Sequence, residues 1–424
     1  MSQKLAKTIR FMRQSGLLYT MYVDLPDARI FTMFFPCCNV GAPVLLYNPG
    51  GPGGSGIGAV LTMYAPYIIT EKNGGYVIEK NEGASDLTAR FSLLYIDIPA
   101  NTGFSISKSN NVQYGDKRTV PEAVRVIKAI LKVQSRYVGD NPILNFFGFS
   151  YAGKIWPLIA EQLFKDGYRI GGLAIFSGYT HPILQEIRPI MEYLLYDGLI
   201  TSDDYSRLES MTDEIEAMIL KDRKGSDWRQ IQEIYISTLT DAWEIASTDT
   251  YDVRYPSTVE DPLNKPITIE KNDHSVSLFL DDPSVQKALG VNTPYNESAT
   301  TFSIDTYEGF LTPSTRSLKF LADNGVFIFY VMGSLDGATL AKGTKDMMEM
   351  LFKTKLNEKR WIINLSDYVD DAENVTLLIG KISEISPNVY YATVIGSGHS
   401  MDSDQGQVAV AVVLDSLYES TQSR

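Results

Sequence analysis

The stretch that most constrains this chain is Phe146-Phe147-Gly148-Phe149-Ser150-Tyr151-Ala152-Gly153. An apolar strand runs into a small residue, then a serine, then another small residue, and a helix is predicted over about 152–164. So tight a strand-to-helix turn has no room for bulk two positions either side of the serine, hence Gly148 and Ala152. It aims the Ser150 hydroxyl out of the sheet. It also sets the Tyr151 N–H at a helix N-terminus, where a developing oxyanion is stabilised. Ala152 replaces the second Gly of the usual G-x-S-x-G. The segment reads as a nucleophile elbow, against the plainer reading of an ordinary strand-to-helix turn.

The surrounding pattern agrees. Leu17–Val23 and Arg29–Phe35 are strand-like runs joined by Leu25-Pro26-Asp27-Ala28, a predicted hairpin. Short apolar runs then alternate with helical stretches: Pro43–Tyr47, Phe91–Ile96, Ile143–Phe147, Leu173–Phe176, Val326–Val331 and Val389–Ile395. Continuous apolar strands between helices imply a mostly parallel sheet buried on both faces. Thr119-Val120-Pro121-Glu122 has capping-box spacing, and Val120, Val124, Ile127 and Leu131 recur on one helix face. From about Leu184 to Tyr251 the chain turns helical and acidic, with no clear strand. The expected fold class is therefore α/β, an α/β-hydrolase fold whose central, mostly parallel sheet is flanked by helices and carries a helical cap insertion. Its parts are a first core segment over 1–183, the cap over 184–251 and a second core segment over 252–424. Such a cap is expected to roof the site and shape the substrate pocket.

A hydrolase using serine needs a histidine base, and the chain has only three: His181, His274 and His399. His399 lies in Gly396-Ser397-Gly398-His399-Ser400 after the last strand and is the candidate base; the other two are set aside. The acid should fall between serine and histidine in chain order. Asp336, in Gly333-Ser334-Leu335-Asp336-Gly337 directly after Val326–Val331, is placed to fix the tautomer of His399, with Asp402 and Asp404 as rivals in the His loop. Asn48-Pro49-Gly50-Gly51-Pro52-Gly53-Gly54-Ser55-Gly56 follows another strand. Its glycines let the backbone approach a ligand, and the Gly51 amide is nominated as the second oxyanion donor beside that of Tyr151. A phosphate-binding loop and a purely structural turn are the competing readings; no Gly-Lys-Ser/Thr ending and no GxGxxG is present.

Charge and cysteine content bound the partners. The formal net charge of −13 argues against nucleic acid. No apolar run reaches the roughly 18–20 residues of a membrane-spanning helix, so no membrane partner is expected. The only cysteines, Cys37 and Cys38, are adjacent and not expected to pair. With no disulfide framework and no signal-peptide pattern after the basic Met1–Arg13, a cytoplasmic location is expected, although a secreted chain relieved of its leader would read the same. Neither a metal site nor a cofactor is implied. Three N-x-S/T sequons, at Asn296, Asn364 and Asn374, decide nothing.

Four segments together resemble the serine carboxypeptidase family. Asn48–Ser55 is similar to its N-G-G-P-G-C-S-S, and Asp97-Ile98-Pro99-Ala100-Asn101-Thr102-Gly103-Phe104-Ser105 to its D-Q-P-x-G-T-G-F-S. Gly148–Gly153 resembles its G-E-S-Y-A-G, and Gly396–Gln405 its G-x-G-H-M-V-P-x-D-Q. Weaker echoes lie at Gly178–Gln185, Tyr251–Arg254, Ser284–Val291 and Gly333–Asp336. The resemblance runs in order along nearly the whole chain. It implies a Ser-Asp-His acyl-enzyme mechanism, with oxyanion amides matching Gly51 and Tyr151. By analogy with the family it also implies a homodimer.

The departures fall where that family holds a substrate's terminal carboxylate, with an Asn and two Glu. The matching positions here are Pro49, Met63 and Phe149, Asn48 is displaced by one residue, and Ser400 replaces the Met after the histidine. A buried carboxylate without partners costs several kcal/mol, so the expected substrate is an uncharged ester, lactone, amide or acyl donor, small or peptide-like. The family includes acyltransferases, which makes transfer to an alcohol or amine part of the expectation. Without the Glu pair, activity should rise toward neutral pH under the control of His399. A carboxypeptidase that recognises the C-terminus by another route, and a non-catalytic binding protein on the same fold, are the alternatives.

Overall fold

In the computed structural model the described residues are 13–14, 16–62, 64–65, 67–72, 75–81, 87–109, 115–221, 228–255, 276–298, 311–364, 366, 375–401 and 406–422. The chain divides into two compact units, one of residues 1–173, 267–305 and 418–424, the other of 174–266 and 306–417.

In the first unit the expected hairpin forms. β1 (Tyr19–Asp24) and β2 (Ala28–Phe35) pair antiparallel in the register Tyr22 to Phe31. β3 (Val44–Asn48), β6 (Ser92–Ile96) and β8 (Ile143–Phe149) follow, in the order β1-β2-β6-β3-β8. β3 runs parallel to both β6 and β8, and β2 is antiparallel to β6. All five residues of β3 and of β6 are buried, as continuous apolar runs require. A hairpin of β4 (Tyr67–Lys72) and β5 (Gly75–Lys80), and the short β7 (Ile106–Ser107) on β2, were not expected from the sequence.

The first long helix corrects the capping-box reading. α1 spans Asp116–Val133 with Gly115 as its N-cap and no side-chain cap bond. Thr119 is a buried residue inside the helix, and Glu122 pairs instead with Arg118 at 2.8 Å. The helix starts a turn earlier because Asp116 is well placed against the positive end of the helix dipole. Of the apolar face read from the sequence, Val124, Ile127 and Leu131 are buried, together with Val126 and Ile130, while Val120 is only half-buried. α2 (Ala152–Lys165) follows the elbow.

The second unit holds β10 (Phe327–Gly333), β11 (Lys359–Asn364), β12 (Thr376–Ser386) and β13 (Val389–Val394), ordered β10-β13-β12-β11. β10 and β13 are parallel, and β12 and β11 extend them antiparallel. The chain passes from one unit to the other within β9 (Arg169–Phe176). The described residues of 184–251 are helical, as expected. A π-helical turn at Ile183–Ile187 leads into α3 (Arg188–Tyr196), α4 (Ser202–Lys221) and α5 (Trp228–Ala246). Ile190, Leu194, Leu208, Ala242 and Trp243 form their apolar core. α6 (Ala341–Phe352) packs beside β10 and β13. Among the described residues, no helix is long and apolar enough to cross a membrane. Cys37 is buried and Cys38 exposed, both as free thiols.

Candidate active site

The elbow is as tight as its sequence foretold, and its backbone is strained. Ser150 sits at φ 53, a left-handed conformation that a side chain adopts only where the fold demands it. A Cβ on Gly148 would lie 2.4 Å from the Asn48 carbonyl oxygen and 2.6 Å from the Ala152 Cβ, so both positions must be small. Trp156 Nε1 donates to the Phe147 carbonyl at 2.9 Å and locks strand to helix. Ser150 is half-buried at the start of α2, and the neighbouring Tyr151 is buried.

The glycine loop is pressed onto that turn. Gly50 (φ 101) and Gly51 (φ 111) hold left-handed conformations. A Cβ on Gly50 would come within 2.7 Å of the Ser150 Cβ and 3.0 Å of the Tyr151 nitrogen. Gly50 is thus pressed against the turn of Ser150 and Tyr151, and the nominated Gly51 is the next residue of the loop. Asn48 Oδ1 accepts the Gly50 N–H at 2.8 Å, so this buried amide shapes the loop from within. Ser55, at the loop's end, donates to Asp97 Oδ1 at 2.7 Å, and Asp97 also accepts from the Ile57 and Phe104 amides. The second family-like segment therefore buttresses the first. Burial raises the Asp97 carboxyl to about 6, with its hydrogen bonds pulling the other way.

Phe149, directly before the serine, is buried in an aromatic group. Its ring stacks on Tyr64 at 6.5 Å and meets Phe147 edge-on at 5.5 Å, while Tyr47 packs on both Tyr64 and Phe147 at 5.1 Å. Pro49, which follows Asn48 in the glycine loop, is half-buried, and Met63 lies outside the described residues.

His399 and Asp336 come together as expected. His399 Nδ1 lies 3.0 Å from both carboxylate oxygens of Asp336, whose side chain is fully buried. Three donors fix that carboxylate: the Ala338 and Thr339 amides on Oδ1 at 2.9 and 3.0 Å, and the Thr339 hydroxyl on Oδ2 at 2.9 Å. Acceptor-only surroundings of this kind orient the Nδ1–H tautomer and leave Nε2 as the basic nitrogen. His399 Nε2 is buried with no hydrogen-bond partner among the described residues. From the other side the His399 amide donates to the Tyr251 carbonyl at 2.7 Å, and the Tyr251 ring packs 4.9 Å from the imidazole. Gly333 and Gly398 permit the close approach of the two loops; a Cβ on Gly333 would meet the Gly398 carbonyl oxygen at 2.3 Å. Ser400 follows half-buried.

His181 is elsewhere employed: its Nδ1 accepts the Leu184 N–H at 3.3 Å, a helix-entry contact. His274, Asp402 and Asp404 lie outside the described residues. Sequence reasoning missed Thr339, Tyr251 and the supporting role of Asp97, whose side chains act on the site through contacts that no local pattern announces. No cluster of His, Cys, Asp and Glu suited to a metal ion occurs among the described residues.

Comparison with known proteins bears on the family and the fold. The family model described as serine carboxypeptidase matches residues 5–417. A pheromone-processing carboxypeptidase of Zygosaccharomyces rouxii is 23% identical over 419 residues, covering 88% of this chain and 58% of that protein. The lysosomal protective protein of Mus musculus is 24% identical over 448 residues, covering 96% of this chain and 90% of its own. The crystal structure of a prohormone-processing carboxypeptidase from Saccharomyces cerevisiae superposes with a TM-score of 0.76 at 17% identity, over 95% of this chain and 90% of that one. The fold is that of the α/β hydrolases.

Proposed function

From the premise that this chain belongs to the serine carboxypeptidase family, we propose that it is a serine hydrolase or acyltransferase whose substrate is not a peptide C-terminus. Ser150 Oγ attacks the substrate carbonyl while His399 Nε2 takes its proton. The tetrahedral oxyanion is held by the Gly51 and Tyr151 amides, backed by the N-terminus of α2. His399 returns the proton to the leaving group, and water or another nucleophile then releases the acyl group from Ser150. Asp336, held by Thr339 and two backbone amides, keeps the imidazole oriented throughout.

The observation that carries the substrate reading is Phe149. It stands at the position matching a carboxylate-binding Glu of the family and is packed into the ring group of Tyr64, Phe147 and Tyr47. An apolar wall there gives a free carboxylate nothing to share a proton with, and burying one unpaired costs several kcal/mol. Asn48 is displaced by one residue from the family's Asn, and its amide oxygen accepts the Gly50 N–H, which ties its side chain to the loop. An ester, lactone, amide or acyl donor suits such a wall.

The relatives' names favour a second reading, removal of C-terminal residues by another mode of recognition. A matched set of N-blocked substrates separates the two: a free-acid dipeptide beside the amide and ethyl ester of the same acyl unit, with Ser150→Ala as control. We expect Ser150-dependent cleavage of the ester or amide and neglect of the free acid. Preferential release of the C-terminal residue from the free acid would establish the carboxypeptidase and refute the Phe149 argument. Failure of an active-serine probe to label the wild-type chain would leave the binding-protein reading.

A further inference from the structure

Between β9 and the helices of 184–251 the chain makes one π-helical turn, Ile183–Ile187, a geometry often found at functional sites. Gln185, fully buried, ties this turn down on every side. Its Oε1 accepts the Thr180 and His181 amides at 2.6 Å, and its Nε2 donates to the Gly178 carbonyl at 2.7 Å and the Thr344 hydroxyl at 2.8 Å. The next residue, Glu186, is a buried carboxyl that the acyl-transfer chemistry does not use. Tyr235 of α5 donates its hydroxyl to Glu186 Oε2. Around them Ile187, Ile215, Ile231, Tyr235 and Leu311 form an apolar cluster.

The turn reaches the catalytic acid through a short run of contacts. The Gln185 carbonyl accepts the Leu340 N–H at 3.2 Å. Leu340 follows Thr339, which holds Asp336 through both its amide and its hydroxyl. A Cβ on Gly343 would lie 2.2 Å from the Leu184 carbonyl oxygen, so α6 and the turn are in intimate contact. Displacing the turn therefore displaces the Asp336 loop.

We propose that Glu186 is a positioning residue, carried as the neutral carboxylic acid, which with Tyr235 latches α5 to the turn that holds the Asp336 loop. The cations of the neighbouring elements do not compensate a charge at this place. Arg188 of α3 is engaged by Asp213 and Glu216 at 2.8 and 3.2 Å. On α6, Lys342 pairs with Asp346 at 2.8 Å and with Glu192 at 3.7 Å, and Lys345 with Glu358 at 2.6 Å. Glu233 on α5 is exposed to solvent. Among the described residues, the groups that act on Glu186 are the Tyr235 hydroxyl and the Asp336 carboxylate. Burial first, and the field of Asp336 second, push its carboxyl well above the usual range. A neutral acid spares Asp336 a second negative charge and leaves His399 one carboxylate to answer to.

This rests on the assignment of Asp336 and His399 as the catalytic pair, so the test reads that pair both with and without substrate. Glu186→Gln, Glu186→Ala and Tyr235→Phe would be compared with wild type in three measurements. The first is the infrared carboxylic-acid C=O stretch at neutral pH, expected in wild type and lost in Glu186→Gln. The second is the downfield proton resonance of the His399–Asp336 hydrogen bond, expected unchanged in Glu186→Gln and weakened in Glu186→Ala. The third is turnover of the best ester: Glu186→Gln within about twofold of wild type, and Glu186→Ala about tenfold lower in kcat with KM little changed. Tyr235→Phe, the mildest truncation, should fall between them, and covers the case of Glu186→Ala failing to fold. Loss of activity in Glu186→Gln equal to that in Glu186→Ala would mean that the ionised form is needed and overturn the proposal. So would an unchanged downfield resonance in both Glu186→Ala and Tyr235→Phe. If no substrate turns over at all, the assignment of function has failed, while the infrared and resonance results still decide the role of Glu186.

Discussion

At Asp336 the tightest control is exerted by one threonine. Thr339 supplies two of the three donors on the carboxylate, its one hydroxyl proton shared between Asp336 Oδ2 and the Ser177 carbonyl, each at 2.9 Å. Removing that hydroxyl leaves Oδ2 of a buried carboxylate facing only the imidazole. Such an oxygen is costly, and the carboxylate should rotate to recover a partner. Thr339→Val is therefore expected to lower kcat about tenfold, with KM unchanged, because it disturbs a group that matters most when His399 is protonated in the transition state. Thr339→Ser should restore activity; equal kcat in Thr339→Val and wild type would show that the two backbone amides suffice. Neither Thr339 nor Tyr251 could be read from sequence, since their contacts depend on loop paths. Ser150, Asp336 and His399 could, because each follows an apolar strand and is set among small residues that mark a sharp turn.

Among the elements, legibility followed burial. β3, β6, β8 and β10 are buried along their length, so each appears in the sequence as an unbroken apolar run. β11 and β12 escaped because they expose one face: Arg360 and Ile362 point out between buried Trp361 and Ile363, and β12 is interrupted by Gly380, Lys381 and Glu384. The capping box at Thr119 misled because the spacing of four residues was right and the helix boundary one turn wrong. The Asp97 junction was visible only as a family-like segment, yet two hydrogen bonds, from the Ser55 hydroxyl and the Ile57 amide, join 97–105 to the end of the glycine loop, and the Phe104 amide adds a third within the segment. Its carboxyl is raised in the fold from 3.8 to about 6 by burial. A raised acid contributes its stability fully below the unfolded value and loses it as pH climbs through the folded one. The difference in unfolding free energy between wild type and Asp97→Asn should therefore shift against wild type by up to ~3 kcal/mol on going from about pH 4 to about pH 7. Denaturant titrations across that range check it, and a difference independent of pH would mean that Asp97 is ionised throughout.

For the whole molecule, stability and activity should favour different pH. Asp97 and Glu186 are both buried acids raised by desolvation, and both favour the fold on the acid side. Lowered acids act in the opposite sense, but Asp166 and Glu349 are held down by exposed lysines, Lys128 and Lys355, and solvent screens such pairs. The buried groups should therefore dominate the slope between about pH 5 and about pH 8. Activity is expected to run the other way. His399 must be neutral to accept the Ser150 proton, and the position before Ser150, a Glu in the family pattern, is Phe149, which brings no acid group whose protonation would help binding at low pH. Parallel curves of melting temperature and kcat/KM for an ester should place the stability maximum at a lower pH than the activity maximum. An activity peak near pH 5 would contradict this, because it would require a substrate-binding group that works protonated, restoring an acid-dependent recognition that Phe149 excludes.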